Sequence, residues 1–141
     1  MAMLIILLSV NCAVADTNSI SNEVLSSDYI VTSAKNNYIS FPVLRVSDTI
    51  TQGETNWHTK TVSSDITTLT VNLNWGDSSD SLRLIIYTPD NNVLGPFYDD
   101  DDGSINGRIN IDITNSNGIA KGTWQYCVYG YDVSGTQSYT I

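Results

Sequence analysis

The chain has 141 residues, 41% of them hydrophobic, enough for one domain with a buried core. Six Lys and Arg face fifteen Asp and Glu, a formal net charge of -9, and only 15% of residues are charged. A field of that sign repels nucleic acid and anionic lipid, so no nucleic-acid partner is expected, and the polar surface must be built mainly of Ser, Thr and Asn.

Leu4 to Val10 is an apolar run, and Ala13-Val-Ala15 before Asp16 is a small-x-small cleavage pattern. Residues 1–15 therefore read as a secretory signal peptide, although no Lys or Arg precedes the apolar run. The run is too short to span a bilayer as a helix, so no membrane insertion is expected after its removal. The product is expected to be secreted or held at the cell surface. Cys12 falls inside this signal, and the Ser-Val-Asn before it is a poor lipoprotein pattern. Its loss leaves Cys127 alone, so no intrachain disulfide is expected. Cys127 alternates onto the face of Gln125 and reads as a partly exposed structural or incidental thiol.

Residues 16–46 read as an N-terminal leader or linker. Asp16 to about Asn37 is rich in Ser, Asn, Thr and Asp. Tyr38 to Val46 reads as an extended segment, and Pro42 assigns it to an edge or a connector.

From Ser47 the pattern becomes regular, and residues 47–141 read as the folded domain. Asp48–Gly53 and Trp57–Val62 are expected strands around a turn at Gly53. Within Thr67–Trp75, Leu69, Val71, Leu73 and Trp75 point one way and Thr68, Thr70, Asn72 and Asn74 the other, the period of a half-buried strand. Leu82–Thr88 follows, with Leu82, Leu84 and Ile86 inward. Pro89-Asp-Asn-Asn92 is a turn, because Pro presets one dihedral and Asn tolerates the left-handed region. Val93–Tyr98 is short, and Asp99–Gly103 is an acidic loop. In Gly107–Ile113 the three isoleucines Ile109, Ile111 and Ile113 point inward. Trp124, Tyr126 and Val128 alternate through Gly122–Gly130, and Val133–Thr136 turns the chain into a last strand at Gln137–Ile141. No segment after the signal has helical spacing. About eight short strands at turn-marked intervals predict an all-β fold, an antiparallel β-sandwich of jelly-roll-like form. Trp75, Trp124 and Tyr126 are expected in its core.

Several of these segments share a likeness. Trp75-Gly-Asp-Ser-Ser-Asp-Ser-Leu-Arg-Leu-Ile-Ile-Tyr-Thr-Pro-Asp90 resembles the aspartate- and leucine-rich strand and Pro-Asp turn of bacterial and archaeal pre-peptidase C-terminal (PPC) domains. Gly122–Gly130 is similar to their late Gly-Thr-aromatic strand, Gln137–Ile141 to their closing Tyr-Thr strand, and Ile50–Glu54 followed by Trp57 to their first strand. The likeness spans about Ser47 to Ile141. It departs at Ser81-Leu-Arg-Leu84, where the family's two strand acids are absent, and no peptidase domain accompanies the module here. The resemblance implies a compact sandwich appended to secreted hydrolases, usually peptidases. Similar collagen-binding modules bind calcium and matrix polymers. A non-catalytic accessory or binding module follows, with an extracellular protein or polymer, or a secreted peptidase, as partner. The alternative is a structural cell-surface or envelope protein.

Asp99, Asp100, Asp101 and Asp102 read either as a solvated acidic loop or as calcium ligands, helped by Asp77, Asp80 or Asp90, since calcium needs six to eight oxygens. An EF-hand register does not fit them. Catalysis needs an activated nucleophile, an acid–base pair or a metal-bound water. The single histidine, His58, makes a His-rich zinc site impossible and reads as a strand residue. An acid-pair hydrolase would place its carboxylates on opposite sides of the scissile bond, whereas these acids crowd one loop. The chain is therefore expected not to be an enzyme.

Overall fold

The computed structural model describes residues 28–34 and 45–141. The expected signal at 1–15 and most of the extended segment at 38–46 lie outside the described residues.

Among the described residues nine strands form: β1 (Ile30–Ser33), β2 (Ser47–Thr51), β3 (Thr55–Val62), β4 (Thr68–Asn74), β5 (Ser81–Tyr87), β6 (Val93–Phe97), β7 (Arg108–Thr114), β8 (Gly122–Asp132) and β9 (Thr136–Thr140). A 3-10 turn covers Asp99–Asp102. The strands make two antiparallel sheets, β1-β7-β4-β9-β2 and β3-β8-β5-β6. The chain is an antiparallel β-sandwich, as its alternation predicts.

The pairing is nested. β5 pairs with β6, β4 with β7, β3 with β8 and β2 with β9, and successive pairs fall in alternate sheets. This is a long hairpin folded over on itself, the jelly-roll arrangement. Its tip is the Pro89–Asn92 turn. There Asn91 takes φ 67° and the Asn92 N–H donates to Thr88 Oγ1 at 2.8 Å. β1 lies outside the nest and extends the larger sheet beyond β7, with Val31 opposite Ile113. Ile30–Ser33 thus completes a sheet from within the stretch that reads as a leader.

One dry layer separates the sheets. Leu69, Val71 and Leu73 of β4 and Ile109, Ile111 and Ile113 of β7 enter it from one side. Leu82, Leu84 and Ile86 of β5 and Trp124, Tyr126 and Val128 of β8 enter from the other. Trp124 is fully buried and its indole N–H donates to the Ala120 carbonyl at 2.9 Å, so the one polar atom of its ring is satisfied. Tyr29 closes one end of the layer, its ring edge-on to Trp124 at 5.5 Å and its hydroxyl donating to the Asp90 carboxylate.

The two ends of the sandwich carry different loops. At the Tyr29 end, Ile119 N–H donates to Ile66 O and Lys121 pairs with Asp65 at 2.7 Å, joining the β3–β4 and β7–β8 connections. At the other end, Trp75 and Gly76 N–H donate to Gly107 O, and Val133 N–H donates to Gln52 Oε1. The close packing there admits no side chain at Gly130, because a Cβ on it would collide with the Thr51 carbonyl oxygen.

Candidate binding face on the four-stranded sheet

The acidic loop predicted from the sequence lies between β6 and β7. Asp99 is buried, and its carboxylate accepts three backbone N–H groups: Asn106 at 3.1 Å, Gly107 at 2.9 Å and Arg108 at 3.0 Å. Asp102 accepts Ser104 N–H and Asn110 N–H on its two oxygens, and Asp101 accepts Tyr98 N–H at 2.6 Å. Asp99 and Asp102 fasten the 3-10 turn to the start of β7, and Asp101 caps the turn itself. The N–H dipoles supply the positive field that such a cluster requires. Asp100 faces solvent.

The three proposed helpers are dispersed. Asp77 is exposed and accepts both Ser79 N–H and Ser79 Oγ, which hold its pKa below the ordinary value. Asp80 is buried and accepts Ser134 N–H at 3.1 Å. Both sit at the same end of the sandwich as the acidic loop. Asp90 stands at the opposite end, beyond the length of β5, paired with Tyr29. Burial works against its carboxylate, but hydrogen bonds from Thr88, Tyr29, its own backbone and Asn92 outweigh that and keep its pKa low. Among the described residues no group of three or more His, Cys, Asp or Glu is arranged to hold an ion.

A different feature stands out on the solvent side of the four-stranded sheet. Because Leu84, Ile86, Tyr126 and Val128 face the core, the intervening residues of β5 and β8 must face away from it. There Ile85 and Cys127 form a second, separate buried cluster, with Tyr87 packed against it. Trp57, Cys127 and Ile85 are one row across β3, β8 and β5, and Tyr87 lies in the next row beside Gln125. The Trp57 and Tyr87 rings meet diagonally, with centroids 5.6 Å apart and planes at 39°. In the row on the other side, the Arg83 guanidinium lies 4.4 Å from the Tyr129 ring centroid, a cation–π contact. From Thr55 to Thr61, Arg83 to Tyr87 and Thr123 to Tyr129 the outward positions of these three strands carry no Asp or Glu, although the chain has fifteen acids; Asp132, opposite Ser81, lies at the far end of β8. Trp57 remains 41% exposed.

Cys127 corrects the sequence reading. It does face the Gln125 side, but it is fully buried and disulfide-bonded, not a partly exposed thiol. Its partner is not among the described residues. The expectation failed because the count set Cys12 aside with the signal, and because parity gives a residue's face but not what covers it. The outward aromatics were equally hidden. Trp57 and Tyr87 share their strands with inward neighbours, and only the register brings them together.

One sandwich edge carries a further polar cluster. His58 Nε2 lies 2.6 Å from Tyr139 Oη and 3.7 Å from Asp48 Oδ2, and Asn56 Nδ2 donates to the Tyr139 hydroxyl at 3.1 Å. An open cleft of about 560 Å³ adjoins it, bordered by Asp48, Trp75 and Tyr139. Burial pushes the Tyr139 hydroxyl up to about 12, so it is a phenol at neutral pH and not a base. The chain matches no protein-family model and no curated protein sequence.

Asp99→Ala strands three N–H groups in the fold and is expected to cost about 3 kcal/mol or more in urea denaturation, while Asp100→Ala stays within about 0.5 kcal/mol. Separately, denatured but unreduced protein is expected to take up no thiol label at Cys127; labelling before reduction would show the bond to be absent.

Proposed function

We infer that the chain is a non-catalytic binding module acting outside the membrane, on an extracellular protein or polymer, of the accessory kind that accompanies secreted peptidases. One observation carries this reading: the carboxylate-free aromatic group of Trp57, Tyr87 and Tyr129 on the outward face of the four-stranded sheet, where Trp57 is 41% exposed beside the buried Ile85 and Cys127. Apolar groups placed outward on a sheet whose core is already complete add nothing to that core. They are instead suited to contact with another molecule. Rigid aromatic rings offer large contact area with little side-chain entropy to lose, which is why they dominate binding hot spots. The likeness to PPC domains supports the same reading from the sequence. So does the use of most acidic-loop carboxylates as backbone acceptors, which leaves them poorly placed for acid–base work.

Retention on insoluble collagen, chitin and cell-wall material tests the reading. Wild-type protein is expected to be retained on at least one of them. Trp57→Ala is expected to weaken that retention about tenfold or more, roughly 1.4 kcal/mol, without changing the melting temperature appreciably. Retention on none of them favours a structural surface component.

Calcium belongs to this reading as a stabilising ion at the acidic end, where Asp100 and Asp77 present exposed carboxylates. Binding there would raise the melting temperature in calcium over EGTA, by an amount equivalent to about 2.7 kcal/mol at a hundred times Kd. Equal melting in both removes calcium from the reading.

A further inference from the structure

His58 is the chain's only histidine, and its side chain is 9% exposed at the edge where the two sheets meet. It projects from β3 of the smaller sheet, whereas Tyr139 and Asp48 belong to β9 and β2 of the larger one. The 2.6 Å contact between His58 Nε2 and the Tyr139 hydroxyl is therefore a polar tie across the sandwich. The rings sit edge-on at 5.6 Å. Tyr139 Oη already accepts from Asn56, which leaves its own proton for one acceptor. A neutral imidazole protonated on Nδ1 takes that proton at Nε2, in preference to Asp48 Oδ2 at 3.5 Å.

We propose that His58, Tyr139 and Asp48 form an acid-operated latch between the two sheets, closed while the imidazole is neutral and loosened when it takes up a proton. Protonation makes Nε2 a donor, so its bond with Tyr139 must reverse. The Tyr139 proton then swings to Asp48, which is the nearest anion to the new imidazolium as well.

The groups facing His58 decide whether this reversal is tolerated. Asp48 on β2 favours the charged ring. Tyr126, opposite His58 on β8, is a neutral phenol whose pKa burial raises further. Glu54 in the β2–β3 turn acts on Tyr139, and Lys60, two residues along β3, is exposed. Burial outweighs the pull of Asp48 and lowers the His58 pKa from 6.5. The unfolded chain then binds the proton more readily than the folded one. The contribution of His58 to stability is complete above the unfolded value and is lost as pH falls through the folded one.

The test uses the full chain. Proton NMR of the single imidazole is expected to give a midpoint below 6.5, moving lower still in Asp48→Asn. A midpoint at or above 6.5 overturns the latch. Between about pH 7.5 and about pH 5, wild type is expected to lose more melting temperature than His58→Gln, and equal losses overturn it. Hydrogen-exchange protection in wild type supplies a readout that needs no variant. Protection of β2 and β9 is expected to fall more than that of β5 and β8, and a uniform fall counts against the proposal.

Discussion

Each strand of the nest must bury one face in the layer between the sheets, and that single constraint sets the architecture; β5 and β8 also bury Ile85 and Cys127 on the other face. Charged side chains are too few to cover the surface, so hydroxyls and amides occupy alternate positions. The apolar positions between them have only one place to go. Two sheets facing each other across Val71, Ile111, Leu84 and Val128 satisfy the constraint at once. The loops follow from it. Once the layer is closed, each connection crosses an end of the sandwich and must find partners for its own N–H and carbonyl groups.

Acidic residues do much of that work. Asp99 gathers the N–H groups of Asn106, Gly107 and Arg108, Asp102 takes those of Ser104 and Asn110, and Glu54 holds the Thr51 N–H and hydroxyl. Part of the acidic composition thus serves as anionic caps on backbone N–H groups. Carboxylates bond backbone N–H groups about twice as strongly as neutral acceptors do, and they act beside the apolar anchors Trp75, Ile119 and Val133 that the connections also bury.

The alternating strands were legible because periodicity is a local property. Thr68–Asn74 and Arg108–Thr114 declare their inner faces without reference to any neighbour. Ile30–Ser33 does not, since four residues flanked by polar sequence show no period worth reading, and only pairing with β7 makes them a strand. The inward role of Asp99 depends on a register that brings the residues before β7 beneath it. Nothing in a run of four aspartates distinguishes the buried one. The His58–Tyr139 tie joins positions 81 residues apart and leaves no mark on either strand. Cys127 was misread for another reason. Its disulfide and the removal of residues 1–15 are coupled questions, because the sequence holds only one other cysteine, Cys12. A bond within one chain requires that residue to be kept.

The nested topology has a consequence for biosynthesis. Each of β1 to β5 finds its partners among β6 to β9, and no two of the first five are paired with one another. A nascent chain must therefore emerge well past its midpoint before any ladder can start, and β2 waits for the last strand of all. Until then the greasy half-strands of the leading half have no mates, a state open to holdase chaperones and compatible with threading through a translocation pore.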